Sequence, residues 1–396
     1  MNGDSLPIGR RVAYLRARRK LSQQSFADRL GKSKSWVDKV ERGARRLERV
    51  STIRDIATVL RVDAATLLGG DAQPVEVAER SEGVARIRGA LSTYEMALGR
   101  PSGHRPVMVP DRLAREVEHA WITYQHARYP HLAELLPKLL TEVHRAHAQD
   151  PEASRLALVE AYRVTAALLV KLDETSLAWL AADRAMSAAT GDRVMLACAA
   201  VQLGQVLRAL GRARSVMLAA AYQIAPPDLG AGAPQELSLC GSLLVQAALT
   251  AAGEGNDRAA GDLLDEAAEM APRIGDGHDY FRTAFGPTAV ELARVAAAVE
   301  LGDGSEAIAR HEKAIRRDGW RWLPAEHRAA HLVDTARAYL HVDDAANAAR
   351  MLMQADSIAS AEVRHRPAVR EVVAQVARDQ HAPATIVQLA IGLGLV

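Results

Sequence analysis

Four turn signals recur at regular intervals along the second half of the chain, and they restrict its fold more than any other feature. The steps from Gly211 to Gly255, to Gly302 and to Asp343 are 44, 47 and 41 residues. Five residues after each position comes a small or apolar residue, and the intervening segments have helical periodicity rather than strand alternation. A turn repeated at this spacing, with few strand signals, predicts stacked pairs of antiparallel helices.

The paired helices resemble the tetratricopeptide repeat, in which small residues let two antiparallel helices approach closely, although the step here is longer than usual. The resemblance implies an all-α body, an α-solenoid of tetratricopeptide-like helical hairpins. The predicted pairs are 111–128 with 130–148, 151–171 with 173–189, 192–210 with 212–225, 236–253 with 256–273, 283–301 with 304–317, 325–341 with 343–358, and 364–379 with 383–391.

The N-terminal stretch has a different pattern, centred on a short helix predicted between Ser33 and Gly43. Ser33 is a favoured N-cap residue, and Gly43 accepts the left-handed conformation that ends many helices. Val37 and Val40 fall three residues apart and predict a buried face. The opposite face, which is predicted to be exposed, carries Lys34, Ser35 and Lys39.

A second predicted helix, capped by Ser22, ends just before this one, and only residues 31–33 join the two. Two helices joined by such a tight, glycine-containing turn form a helix-turn-helix. Residues 8–69 resemble the XRE-type, phage-repressor-like helix-turn-helix domain, which has five helices. The matching residues are Leu21-Ser22-Gln23, Phe26-Ala27, Leu30-Gly31, Ser33, Val37, Val40-Glu41-Arg42-Gly43, Ile56-Ala57 and Leu60.

This resemblance implies roles for individual residues on double-stranded DNA. Lys34, Ser35 and Lys39 lie at the positions that read base edges in the major groove. Arg16 and Glu41 match an internal salt bridge that braces the first helix against the third. The candidate phosphate contacts are Gln23, Lys32, Trp36, Arg42, Arg45 and Arg46. For Trp36 the alternative role is to cover the seam between helices.

The charge of the chain is divided unequally between its two parts. Residues 1–68 contain 16 Lys and Arg against 7 Asp and Glu, a net charge of +9, whereas the remainder carries −7. The total of +2 hides this asymmetry. A small basic unit joined to a larger acidic one is typical of a DNA-binding head on a body that does not itself bind DNA.

The helical body is predicted to present a concave groove suited to a peptide or small-molecule effector. The candidate groove residues are Trp121, Tyr124, Gln125, Arg128 and Tyr162. Packing in the core is the alternative for the three aromatic side chains. The peptide receptors of the repeat family often clamp a peptide backbone with asparagines, and this chain contains only three. Its composition therefore weakens the analogy with peptide receptors.

The sequence predicts neither an enzyme nor a protein with a metal or cofactor. It lacks a glycine-rich phosphate loop after a strand, a metalloprotease His-Glu pattern and a nucleophile elbow. His327 and His331 lie four residues apart and could chelate a metal, but without a clear third ligand a surface pair is the preferred interpretation. Cys198 and Cys240 are predicted to be buried core residues, with a redox pair as the alternative.

Cysteine usage and hydropathy predict a soluble protein of the reducing cytoplasm. Two cysteines are too few for a disulfide framework. The first dozen residues lack the apolar core of a signal peptide, and the sequence shows no run of 18 uncharged apolar residues. No membrane partner is expected.

Taken as a whole, the chain resembles the actinobacterial regulators that join an XRE-type head to a repeat-containing helical body. The expected domains are a DNA-binding head over 1–69, a linker and connecting helix over 70–110, and the helical body over 111–396. The expected function is a sequence-specific transcriptional regulator that binds a two-fold symmetric operator as a homodimer. The alternative is a protein-interaction scaffold, in which the repeats bind a partner protein and DNA binding is auxiliary.

Overall fold

The protein is described by a computed structural model over residues 8–45, 47, 50–60, 62, 67, 75–92, 107–209, 213–226 and 232–395. Two compact units divide the chain, one made of Met1–Ala78 with Arg370–Val396 and the other of Glu79–Val369. The described residues form helices and no strand, and the predicted all-α fold is confirmed. The domain boundaries expected near residues 69 and 110 stay predictions.

The helices of the described residues account for most of the chain between short turns. In chain order they are α1 (Ile8–Arg18), α2 (Gln23–Leu30), α3 (Lys34–Glu41), α4 (Val50–Leu60), α5 (Val75–Leu91), α6 (Pro110–Gln125), α7 (Tyr129–Gln149), α8 (Pro151–Lys171), α9 (Thr175–Ala189), α10 (Arg193–Ala209), α11 (Arg214–Ile224), α12 (Pro234–Gly253), α13 (Asp257–Ile274), α14 (Pro287–Glu300), α15 (Gly304–Ala314), α16 (Ala325–His341), α17 (Ala345–Ile358), α18 (Ser360–Arg364), α19 (Pro367–Ala377) and α20 (Ala384–Gly392). Two short 3₁₀ helices follow α13 and α15, at Tyr280–Arg282 and Asp318–Trp322.

The head forms around the apolar faces of α1 to α4. Ser22 and Ser33 cap α2 and α3, because each hydroxyl accepts a hydrogen bond from the backbone N–H three residues later, at 3.0 and 3.1 Å. Gly31 ends α2 in the left-handed conformation, with a φ of 63°. These caps fix the tight turn between the two helices of the predicted helix-turn-helix. The head core contains Val12, Phe26, Ala27, Val37, Val40, Ile53, Ile56 and Leu60.

The body is built from helical hairpins, as α6 with α7, α8 with α9, and so on to α16 with α17. The first members of the hairpins, which we call the inner helices, also contact one another in series: α6, α8, α10, α12, α14 and α16. The last inner helix, α16, contacts the first, α6, so this row of helices closes on itself. The predicted α-solenoid of helical hairpins is confirmed.

One turn geometry recurs inside the hairpins and explains three of the landmarks seen in the sequence, Gly255, Gly302 and Asp343, whereas Gly211 lies outside the described residues. Gly302 has a φ of 82° and donates its N–H to the carbonyl of Val299 at 3.1 Å, while Asp303 donates to the carbonyl of Ala298 at 2.9 Å. This pair of bonds is the Schellman motif. Asp303 then caps α15 by accepting a hydrogen bond from the N–H of Glu306 at 3.0 Å. The same left-handed position is occupied by Ala127, Asp173, Gly255 and Asp343.

Two predicted helices differ from those in the structure, and proline or loop conformation explains both differences. The helix predicted to begin at 283 starts at Pro287, because the residues before it form a loop with left-handed residues. The helix predicted over 364–379 begins instead at Pro367, as α19, and the short helix α18 ends at Arg364 before it. Pro367 opens α19, and a proline disfavours helical backbone in the residue that precedes it.

The apolar helix α12 is long and apolar enough to cross a membrane by length and composition, and it alone passes that test among the described residues. The structure buries 72% of its most apolar window, so the helix packs within the protein core. Cys240 on this helix and Cys198 on α10 are buried, unpaired thiols. Burial raises the pKa of Cys198 to about 11 and that of Cys240 to about 12, so both are protonated core residues.

The interpretation of His327 and His331 as a surface pair is wrong. His331 is buried where α15 packs against α16, and its Nε2 lies 2.8 Å from Nδ1 of His311. In the described residues no group of three or more His, Cys, Asp or Glu side chains is placed to hold a metal ion. His311 and His331 therefore form a packed pair in the interior of the body.

Candidate DNA-binding surface and body interior

The short helix α3 has one buried face and one exposed, cationic face. Val37 and Val40 are almost fully buried against the head core. Lys34, Ser35 and Lys39, the predicted base-reading residues, are all exposed. Since Lys34 and Lys39 lie five residues apart with Ser35 beside the first of them, the three side chains extend along more than one helical turn. They give the head a short row of hydrogen-bond donors.

A buried carboxylate holds α3 against the rest of the head. Arg16 on α1 donates its Nε to Oε1 of Glu41 at 2.6 Å and an NH2 to Oε2 at 3.0 Å. The same arginine donates NH1 to the carbonyl of Leu21 at 2.7 Å, which joins the start of α2 to this pair. Gln23 adds a fourth bond, from Nε2 to Oε2 of Glu41 at 2.8 Å. The same amide nitrogen has a second N–H, which can donate to a phosphate without breaking this bond.

The other predicted phosphate contacts lie in different surroundings. Lys32 and Arg45 are exposed. Arg42 is exposed and forms an ion pair with Asp38 one helical turn earlier. Trp36 is half-buried and packs against the head core, so part of its indole covers the seam between helices. Arg46 lies outside the described residues.

Two residues that support this surface were not identified from the sequence. Gly9 on α1 lies so close to α3 that a Cβ at this position would be 2.1 Å from the carbonyl oxygen of Val40. Arg11 is buried and donates NH1 to the carbonyl of Leu67 at 2.7 Å. A glycine and an arginine in a basic amphipathic helix give no local signal of such long-range contacts.

The candidate groove residues of the body separate into buried and accessible ones. Trp121, Tyr124 and Tyr162 are buried. The indole Nε1 of Trp121 donates to Oε2 of Glu160 at 2.8 Å, and so its polar edge is also satisfied internally. Gln125 is half-buried, whereas the remaining candidate on this part of the chain, Arg128, is exposed.

The body's own loop over residues 275–286, which we call the interior loop, contacts several of the inner helices. Arg163 on α8, which is fully buried, donates NH2 to the carbonyl of Phe281 at 2.8 Å. Gln125 on α6 donates to Asp279 at 2.5 Å. Phe285 packs directly over Gly241 on α12. The concave side of the inner helices is therefore occupied by this segment of the chain.

The interior loop has an unusual backbone. Phe281, Arg282 and Ala284 have φ values of 53°, 63° and 47°, in the left-handed region that side chains with a Cβ disfavour. Each such residue costs on the order of 1 kcal/mol, so tertiary contacts must hold the loop in place. Arg282 forms an ion pair with Glu118 on α6, and Asp279 accepts the N–H of Ala284 at 2.9 Å.

A buried ion cluster joins distant parts of the body. Lys171 at the end of α8 donates Nζ to Glu326 on α16 and to Glu362 on α18, both at 2.8 Å. Arg366 pairs with the second carboxylate at 2.5 Å, and Tyr129 also donates to it. Burial alone would raise the pKa of Glu326, but His327 and Lys171 lower it below its ordinary value. Burial likewise opposes ionisation of Glu362, but Arg366 and Lys171 lower its pKa, so both carboxylates are ionised at neutral pH.

Among solved structures, the chain is similar to the crystal structure of Bacillus thuringiensis PlcR in complex with the peptide PapR7 and DNA. The similarity covers 90% of this chain and 98% of that one, with 12% sequence identity and a TM-score of 0.28. A likeness at this level transfers no property from one protein to the other.

The sequence comparisons give two matches. A family described as a helix-turn-helix domain matches residues 7–68. The chain is also 31% identical over 105 residues to RghRB of Bacillus subtilis (strain 168), described as an uncharacterised HTH-type transcriptional regulator. That alignment covers 26% of this chain and 73% of RghRB. With the exposed cationic face of α3 and the braced helix-turn-helix, these matches assign the chain to the family of helix-turn-helix-type, DNA-binding transcriptional regulators.

Proposed function

We propose that the protein is a sequence-specific regulator that binds a two-fold symmetric operator as a homodimer, in the cytoplasm, and that its body dimerises and senses an effector. The observation that carries the proposal is the exposed row formed by Lys34, Ser35 and Lys39 on a helix whose back is buried. Arg16 and Glu41 hold that helix rigidly, as base reading requires.

The chemistry of the row indicates how it would read DNA. Lysine donates to O6 and N7 of guanine in the major groove, and serine pairs with several bases. We therefore expect at least one G·C pair in each half-site. Lys32, Arg42 and Arg45 supply positive charge at the two ends of α3 and would contact phosphates, which contribute affinity without sequence information.

The proposal of a dimer rests on how little sequence one head can read. The helix α3 has 8 residues and three base-reading candidates, enough for only a few base pairs. Helix-turn-helix proteins overcome this limit by placing two recognition helices in successive major grooves, about 34 Å apart. A second copy of the same head doubles the number of bases read and makes the operator symmetric.

A helix-turn-helix head can bind DNA without so large a body, and we therefore assign effector sensing to the body. The interior loop already occupies the concave side of the inner helices, through Arg163 and Gln125. This arrangement favours a small-molecule effector over a peptide laid along the groove. It also counts against the scaffold alternative, in which a partner protein would need the same surface.

A double variant tests the assignment of the reading face. We expect Lys34→Ala with Lys39→Ala to weaken binding to the operator at least tenfold, since each base contact is worth about 1–3 kcal/mol. The measurement is an equilibrium titration of the full-length protein with fragments of its own promoter region, over a series of salt concentrations. The loss should be much smaller on unrelated DNA, where phosphate contacts dominate.

The matched control is Lys138→Ala with Lys313→Ala, which removes the same charge from exposed positions on the body. An equal loss of affinity in both double variants would show that only net charge matters and would contradict the reading role. Sedimentation of the protein–DNA complex on the same fragment gives the stoichiometry. One protein chain per operator at saturation would contradict the homodimer.

A further inference from the structure

A cavity of about 320 Å³ lies beside the interior loop at the beginning of α16. This volume falls at the lower end of small-molecule sites. Its walls come from the end of α6, the interior loop, the 3₁₀ helix before α16, and the first turn of α16 itself. The residues that matter most to its chemistry are Gln125, Asp276, Asp279, Phe285, Trp322 and Arg328.

Arg328 brings a buried guanidinium nitrogen without an acceptor to this cavity. The Nε of Arg328 is buried, and none of the described residues accepts a hydrogen bond from it. Burying a guanidinium nitrogen without an acceptor is unfavourable, because the lost hydration is not replaced. An acceptor that entered the cavity would restore this bond, and a planar two-oxygen group would match the arginine fork.

The two carboxylates in the cavity are already engaged. Asp276 accepts hydrogen bonds from the backbone N–H and the hydroxyl of Thr288, at 2.9 and 2.8 Å. Asp279 accepts from Gln125 and from the N–H of Ala284. Asp279 also forms an ion pair with Arg282 at 3.7 Å, and among the described residues no ion pair joins either aspartate to Arg328. Their negative charge nonetheless limits the ligand, because a dianion beside two carboxylates would be repelled.

The start of α16 adds to the attraction for an anion. Leu323, Pro324 and Ala325 line the cavity, and Pro324, the N-cap residue, supplies no side-chain cap to the first turn. The first N–H groups of a helix carry partial positive charge and lack acceptors within the helix. This feature supports the role of Arg328 but would not by itself define a site.

The remaining walls suit a flat apolar group. Trp322 is 62% exposed, unusual for an indole, and lines the cavity together with the buried Phe285. Aromatic faces bind planar rings by stacking, which adds to the burial of apolar area. A ligand that covered Trp322 and accepted a hydrogen bond from Arg328 would bury the exposed indole and supply the missing acceptor.

We propose that this cavity binds a small aromatic monocarboxylate, whose carboxylate pairs with Arg328 and whose ring lies against Trp322. Asp276 and Asp279 select a monoanion over a phosphate dianion, and Gln125 offers a further hydrogen bond to a polar substituent. The inference names the chemical class of the effector, and for its regulatory meaning it rests on the proposed function. Binding itself does not depend on that function.

The test is ligand-detected NMR on the full-length protein without DNA, using benzoate, 4-hydroxybenzoate and indole-3-carboxylate as probes. Each is compared with its neutral carboxamide and with phenyl phosphate. We expect at least one carboxylate to bind at least tenfold more tightly than its carboxamide and than the phosphate. Absence of binding by all three carboxylates would overturn the proposal, as would equal binding of the matched carboxamides.

Variants locate the binding in the cavity. Arg328→Gln should weaken carboxylate binding at least tenfold, and Trp322→Ala should weaken it several-fold without unfolding, because this side chain is exposed. Arg258→Gln is the matched control, since this arginine on α13 is 94% exposed and lies outside the cavity. Circular dichroism confirms that each variant is folded. Should Arg328→Gln fail to fold, Arg328→Lys and Trp322→Ala carry the test.

Undiminished binding in Trp322→Ala together with either Arg328 variant would place the ligand elsewhere and overturn the site. The outcome is separable from that of the DNA experiment. If sequence-specific DNA binding is absent but Arg328-dependent carboxylate binding is present, the proposed regulator is wrong and the proposed carboxylate site stands. If DNA binding is present and carboxylate binding is absent, the regulator stands and the site is wrong.

Discussion

At the scale of single residues, the head depends on a glycine that leaves no room for any side chain. A Cβ on Gly9 would lie 2.1 Å from the carbonyl oxygen of Val40, and backbone atoms cannot give way as a flexible side chain can. We expect Gly9→Ala to separate α1 from α3 and to destabilise the head by about 1–3 kcal/mol. Thermal denaturation and operator affinity of the full-length variant measure the effect.

A second glycine provides the control for this substitution. Gly89 lies on the exposed side of α5, and a Cβ there would meet no atom within 4 Å. Because alanine is favoured over glycine inside a helix by about 1 kcal/mol, Gly89→Ala should leave stability unchanged or raise it. Similar destabilisation by both substitutions would show that the close approach of α1 to α3 is not what Gly9 provides.

The buried pair formed by His311 and His331 makes the stability of the body depend on pH. Burial lowers the pKa of His311 to about 4 and that of His331 to about 3, whereas both are near 6.5 in an unfolded chain. The unfolded state therefore binds more protons as the pH falls below 6.5. The stabilisation is complete above that pH and is lost progressively as the pH falls toward 4.

Replacing both histidines by leucine should reduce this dependence. We expect the free energy of unfolding in urea to fall less between pH 7 and pH 5 in His311→Leu with His331→Leu than in the unchanged protein. Each histidine contributes up to about 1.4 kcal/mol per pH unit. His381→Leu, at an exposed position, should keep the original pH dependence. An unaltered slope in the double variant would contradict the assignment.

At the scale of helices and turns, the turn inside each hairpin requires one residue in the left-handed conformation, and the free-energy cost of that conformation depends on the residue type. Gly255 and Gly302 adopt this conformation freely, whereas Ala127 occupies it with a φ of 53°. We expect Ala127→Gly to stabilise the body by about 1 kcal/mol, because it removes the Cβ strain of the left-handed conformation. Chemical denaturation of the full-length protein measures the change.

Ala114 on α6 gives the opposite expectation for the same substitution. It is exposed within a helix, where glycine is less favourable than alanine by about 1 kcal/mol. Ala114→Gly should therefore destabilise the body while Ala127→Gly stabilises it. Loss of stability in both variants would mean that contacts of the Ala127 methyl group outweigh its backbone strain.

This turn also shows why so much of the body was predictable from the sequence. Gly302 followed by Asp303 encodes a left-handed helix end and then a side-chain cap, and both act over a few neighbouring residues. Ser22, Gly31 and Ser33 do the same in the head. Helix ends set by such local chemistry can be read from a single sequence.

Features set by distant contacts could not be predicted in this way. The interior loop has its conformation because Arg163 and Gln125, which are more than a hundred residues away, bind Phe281 and Asp279. The same holds for the burial of His331, which requires α15 beside it. The residue types at these positions are compatible with several surroundings, so the sequence alone does not decide which of these surroundings each side chain has.

At the scale of the whole body, Lys171 joins helices that are far apart in the chain. Its ammonium group is the shared partner of Glu326 and Glu362. We expect Lys171→Met to destabilise the body by about 3 kcal/mol, because two buried carboxylates would lose a common cation. Urea denaturation followed by circular dichroism measures the change in unfolding free energy.

Lys313→Met is the matched control for this prediction, because the side chain is exposed on α15. It should change the free energy of unfolding by less than about 0.5 kcal/mol. An equally small effect of Lys171→Met would show that Arg366 and His327 alone compensate the two carboxylates.

The contact between α16 and α6 gives this body a fixed number of repeats. In an open array each hairpin contacts only its neighbours, so evolution can add or delete one with little effect on the others. Here an extra hairpin between α9 and α16 would carry α16 away from α6 and Lys171 away from Glu326. Homologous chains that keep this ion cluster should therefore keep the number of hairpins between its lysine and its first glutamate, which are 155 residues apart here, and differ in length only within turns.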